Sequence, residues 1–80
     1  MKTQQQIEHQ QREQLEQLLK WVGTRARLAA ELGVSRQVVY GWVDRGRISA
    51  TAATEVHRKT DGLFNREDLR PDVKEWKEEV

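Results

Sequence analysis

The sequence predicts an all-α chain, a compact bundle of five helices, and three observations lead to it. Residues 2–22 are rich in Gln, Glu, Leu and Lys, all good helix formers, and no Gly or Pro interrupts them before Gly23. Apolar residues recur at helical spacing, as Leu15, Leu18, Leu19 and Val22, then Leu28 and Leu32, then Val39 and Trp42, then Ala53 and Val56. Between these stripes a glycine is followed by a residue able to cap a helix: Gly23 by Thr24, Gly33 by Ser35, Gly46 by Ser49, Gly62 by Asn65. The apolar pair Leu63 and Phe64 reads as core plugs; it could instead open a β-strand, but no second alternating run is present to pair with it.

Only the second half of the first predicted helix carries an apolar stripe, since Ile7 stands alone among seven glutamines, Gln4, Gln5, Gln6, Gln10, Gln11, Gln14 and Gln17. The reading is therefore a glutamine-rich helical extension over residues 1–14, a core domain over 15–76 that begins with Leu15, and a frayed tail over 77–80. Trp21 falls off the leucine stripe and either shields an edge of the core or marks a contact surface.

Residues 24–44 read as a helix-turn-helix. Ala29 stands where two helices cross most closely, so a larger side chain would push them apart. Gly33 ends the first helix in a left-handed conformation that costs any residue with a Cβ, and Ser35 caps the second. Val39 and Trp42 face back toward Leu28, Leu32 and Val34, which leaves Ser35, Arg36, Gln37, Tyr40 and Gly41 outward. Hydrogen-bonding groups on a rigid rod suit a DNA major groove. Beyond the motif, residues 50–60 form a fourth helix with Ala53 and Val56 inward. Asn65, with Asp68 three residues on, opens a short fifth helix ending before Pro71.

Net charge is +1 over 80 residues, but its distribution is uneven. Residues 1–19 carry two basic and three acidic side chains, residues 20–60 eight basic and three acidic, and residues 61–80 four basic and seven acidic. The basic segment coincides with the helix-turn-helix, as phosphate binding requires. The N-terminus of the first helix of the motif, capped by Thr24 and lying beside Arg25 and Arg27, is a seat for a DNA phosphate, and Arg45 and Arg47 stand where phosphates flank the groove.

Other classes find little support. There are no cysteines, so neither disulfides nor a zinc finger is available, and His9 and His57 lie far apart; no metal and no cofactor is expected. No phosphate loop, nucleophile with a base, or carboxylate pair in apolar surroundings points to an enzyme. No apolar run reaches the roughly 20 residues of a membrane span. The expectation is a soluble, intracellular protein.

Gly23-Thr24, the motif with Ala29, Gly33 and Trp42, Arg45-Gly46-Arg47-Ile48, and the stretch Arg66-Glu67-Asp68-Leu69-Arg70-Pro71-Asp72 together resemble the phage Cro-like repressors, in particular the YdaS-type branch found in prophages. The resemblance spans about residues 15–76 and implies a lambda-repressor-like five-helix domain that binds operator DNA as a dimer and represses transcription. By position it gives base reading to Ser35, Arg36, Gln37, Tyr40 and Gly41, and phosphate contact to the helix start at Thr24, Arg25 and Ala26. The N-terminal extension is longer than such domains need, and no strand pair for dimerisation is evident. Homodimerisation, at least on DNA, is assigned to Phe64, Val73 and Trp76 in preference to the arm around Ile7, because those apolar residues exceed what a short tail needs to cap its own domain. An antitoxin-type or other protein-interaction module on the same fold is the alternative.

Overall fold

Residues 3–73 are described by a computed structural model. Among the described residues five helices follow in order: α1 (Gln4–Val22), α2 (Arg25–Leu32), α3 (Arg36–Arg45), α4 (Ala50–Lys59) and α5 (Arg66–Leu69). No strand occurs among the described residues, and the segment holding Leu63 and Phe64 is a bend.

Each helix start is written locally. Thr3, Thr24, Ser35, Ser49 and Asn65 all hold extended backbone and accept, through their side chains, the N–H of the residue three positions on. Such a cap stabilises a helix by about 1 kcal/mol. Thr3 forms a full capping box, because the Gln6 side chain also accepts the Thr3 N–H at 2.8 Å. The predicted start at residue 2 thus moves to Gln4, with Thr3 as the cap.

The two turns beside α3 share one geometry. Gly33 is left-handed at φ 67°, its N–H reaching Ala29 and Ala30 carbonyls, and the Val34 N–H returns to Ala29 O at 3.0 Å. Gly46 is left-handed at φ 74°, its N–H reaching Trp42 and Val43 carbonyls, and the Arg47 N–H returns to Trp42 O at 3.0 Å. Both satisfy the orphan carbonyls of a helix end. The first sets α3 across α2; the second sets α4 away from α3.

The core lies where the five helices meet: Leu15 and Leu18 of α1, Leu28 and Ala29 of α2, Val39 and Trp42 of α3, Ile48, then Ala52, Ala53 and Val56 of α4, with Phe64 and Leu69 closing it. Ala29 is buried on α2, which packs closely on α3, as the helix crossing demands.

Two expectations are corrected. The glutamine-rich extension continues into α1 as one unbroken helix, but around Gln10 and Gln11 it is docked and not solvated. Gln11 is only 3% exposed, and its amide donates to Asp72 Oδ1 at 2.8 Å, while the Gln10 amide donates to Asp68 O at 3.3 Å. A polar side chain this buried needs a partner, and the C-terminal strap, α5 with the residues that follow it to position 73, supplies it. Phe64, read both as a core plug and as part of a dimer surface, is in the core, with its ring centroid 5.7 Å from that of Trp21, whereas Leu63, read as a plug beside it, is exposed. Val73 is half-buried, and Trp76 lies outside the described residues. The apolar side chains that are exposed nearby are Leu63 and Trp21, at 63% and 58%.

Candidate nucleic-acid interface

The outward face of α3 is the centre of the candidate site. Ser35, Arg36, Gln37 and Tyr40 are exposed, while Val39 and Trp42 are buried on the opposite side. The Ser35 hydroxyl caps the Val38 N–H at 3.2 Å, so this serine holds the helix start before it offers anything to a ligand. Gly33 sets the angle of α3 and the cap sets its first turn, so the chain presents Arg36 and Gln37 on a rigid helix rather than a loop.

Arg25 meets this face from the start of α2. Its guanidinium lies 5.6 Å from the centroid of the Tyr40 ring, a cation–π contact that joins the first turn of α2 to the middle of α3. This pair was not read from the sequence, although both residues were singled out. Thr24 is committed to capping the Arg27 N–H at 3.0 Å, and Ala26 is exposed beside it. Lys20, at the end of α1, lines the same cleft as Thr24 and Arg25, which adds a cation that the sequence reading had left within its first helix.

Arg27 does not join them. It lines a different cleft with Trp21, Val22, Glu31 and Lys59, on the side of α2 away from Tyr40, because two positions along a helix turn a side chain through about 200°. Gly41 also differs from expectation. A Cβ built there would lie 3.2 Å from Arg45 Nη1, so the open space at this glycine is filled by the side chain of Arg45, one helical turn on. That placement lays the Arg45 guanidinium along α3. Arg45 and Arg47 flank the Gly46 turn and line one cleft together.

The face is electrically open. None of Arg25, Arg36, Arg45 and Arg47 makes an ion pair among the described residues, whereas the pairs formed elsewhere include Glu55–Arg58, Arg66–Glu67 and Arg70–Asp72. No group of His, Cys, Asp or Glu able to hold a metal ion occurs among the described residues, and no helix there is long and apolar enough to cross a membrane. His57 serves the fold, its Nδ1 accepting the Arg66 N–H at 3.1 Å.

Fold and face together define a small all-helical helix-turn-helix domain whose second motif helix is flanked by arginines that form no ion pair among the described residues. The chain belongs to the YdaS family of Cro-like helix-turn-helix proteins: the family described as "Bacterial toxin YdaS" matches residues 15–79. It is similar to the regulatory protein cro of Pseudomonas phage D3, at 42% identity over 57 residues that cover 69% of this chain and 77% of that protein. No solved structure gives a significant match.

Proposed function

We propose that this protein is a sequence-specific double-stranded DNA-binding transcriptional regulator, a phage or prophage Cro-like repressor that binds operator DNA as a homodimer. The observation that carries the reading is the α3 face: Arg36 and Gln37 exposed on a capped helix, with arginines at both ends of it that form no ion pair among the described residues. Arg36 can bond guanine O6 and N7 in bidentate fashion, and Gln37 can do the same at adenine N6 and N7, each pair discriminating by about 1–3 kcal/mol. Arg25, held on the Tyr40 ring, and Arg45 and Arg47 then take backbone phosphates. Its likeness to a phage regulatory protein supports the regulatory role. One motif presents few side chains to the groove, so two copies on half-sites about one helical turn apart are needed for useful specificity.

The test is selection of bound sites from random duplex DNA, for which an inverted repeat is the expected result. Recovery of no preferred sequence would refute sequence-specific reading. A second reading, an antitoxin-type or other protein-interaction module, draws on the exposed Trp21 and Leu63 side chains. Salt separates the two, since DNA affinity falls steeply with added salt and an apolar protein contact does not.

A further inference from the structure

The N-terminal half of α1 carries a cation that neither the helix-turn-helix nor the family match includes. Arg12 precedes residues 15–79, yet its guanidinium lies over the Gly46 turn: a Cβ built on Gly46 would come within 2.6 Å of Arg12 Nη2 and 2.7 Å of Cζ. Only a glycine lets the side chain approach so closely. Arg12, Arg45 and Arg47 thus line one cleft of about 380 Å³, with Glu8 and Gln11 on its α1 side.

Three arginines and one glutamate line this cleft, and none of the three arginines makes an ion pair among the described residues. Like charges gathered this way repel, and an anion relieves the repulsion. The arrangement is also held in place. Gln11 is pinned to Asp72 and Gln10 to the Asp68 carbonyl, so the next residue of α1 is aimed at the Gly46 turn from a docked helix rather than a frayed arm. Arg45 continues from the cleft onto α3, its Nη1 lying over Gly41, so the cleft is contiguous with the face that reads DNA in the proposed function.

We propose that Arg12 completes, with Arg45 and Arg47, a binding site for one phosphodiester of the DNA backbone at the C-terminal end of α3. This rests on the DNA-binding reading above. Arg12 acts from outside the helix-turn-helix, and the docking of α1 on the C-terminal strap makes it available.

The experiment titrates the full chain, Arg12→Gln and Arg12→Lys against a mixed-sequence duplex of about 30 base pairs at several salt concentrations. In Arg12→Gln the slope of log affinity against log salt is expected to fall by about one, so that between about 50 and 200 mM salt the parent loses about fourfold more affinity than the variant. Arg12→Lys keeps the charge and is expected to restore the slope, a result that a purely structural role of the side chain over Gly46 does not produce. Thermal melts of both variants verify that they fold. An unchanged slope in Arg12→Gln, or a slope still reduced in Arg12→Lys, overturns the proposal. Millimolar inorganic phosphate at matched ionic strength is expected to leave parent binding unchanged; competition by it would assign the cleft to free phosphate instead. If the parent itself shows no salt-dependent binding, the DNA reading falls and this site with it, whereas a normal parent slope shared by Arg12→Gln refutes the Arg12 site alone.

Discussion

Gly33 and Gly46 offer a matched experiment on what a left-handed turn costs and what lies over it. Both have nearly the same backbone, φ 67° and 74°, and both close a helix with the same pair of returning N–H groups. Replacing either by alanine forces an L-residue into that region at about 1–2 kcal/mol, offset by about 0.4–1 kcal/mol from the stiffer unfolded chain. At Gly33 nothing stands within 4 Å of the new Cβ, so the net loss is about 1 kcal/mol, or about 4–8 °C in melting temperature for a domain of this size. At Gly46 the new Cβ would strike the Arg12 guanidinium at 2.6 Å. That group is the far end of an exposed, flexible side chain and can swing away. The additional loss is therefore at most about 0.5 kcal/mol, the scale of a surface substitution. Far-UV circular dichroism melts of Gly33→Ala, Gly46→Ala and Gly46→Ala with Arg12→Ala check this. The double variant is expected to recover the small difference between the two single ones and nothing more. Melting of Gly46→Ala at the parent temperature would refute the left-handed turn. A loss more than about 2 kcal/mol beyond Gly33→Ala, recovered by removing Arg12, would mean that the guanidinium is wedged in place rather than free to move.

Ala29→Leu, at a buried helix crossing, is expected to cost about 1–3 kcal/mol in denaturant unfolding, while Ala30→Leu on the exposed side of α2 is nearly neutral. Arg36→Ala and Gln37→Ala should each weaken binding to a selected operator by about 1–3 kcal/mol with little change in melting temperature; an equal loss on random duplex would mean that they touch only phosphates. Asp72 is held below the ordinary carboxylate value, first by its hydrogen bond from Arg70, with the Arg70 charge and the Gln11 amide adding to it against the opposing effect of partial burial. Because the folded value is the lower one, Asp72 contributes stability that is fully present above the ordinary value and lost as pH falls below 3.8 toward the folded one. Unfolding midpoints taken across acid pH should fall less steeply in Asp72→Asn than in the parent.

The features legible in the sequence are those whose cause lies within a few residues. Thr24, Ser35, Ser49 and Asn65 cap the helices they precede because the hydroxyl or amide bonds an N–H three residues on, whatever the rest of the chain does. Gly33 and Gly46 end their helices for an equally local reason, and the 3.6-residue spacing of Leu28, Val39 and Trp42 places them in the core. The outward set Ser35, Arg36, Gln37 and Tyr40 follows from the same periodicity. Contacts between distant segments were decided only by the tertiary structure. Gln11 looked like one more residue of a solvated glutamine tract, and its burial depends on Asp72, 61 positions away. Phe64 and Leu63 are indistinguishable as a local apolar pair, yet packing against Trp21 and the α4–α5 side of the core takes Phe64 inward and leaves Leu63 exposed. Arg25 on Tyr40, Arg45 over Gly41 and Arg12 over Gly46 are likewise meetings of long cationic side chains with surfaces that exist only once the helices have docked. The sequence by itself determined where the helices begin and end and which stripe of each is apolar, since short-range sterics and hydrogen bonding dictate those. The docking of α1 on the C-terminal strap, and the grouping of its arginine with the two that flank the Gly46 turn, belong to the tertiary structure, because side chains so far apart in sequence are brought together only by burial of the shared core.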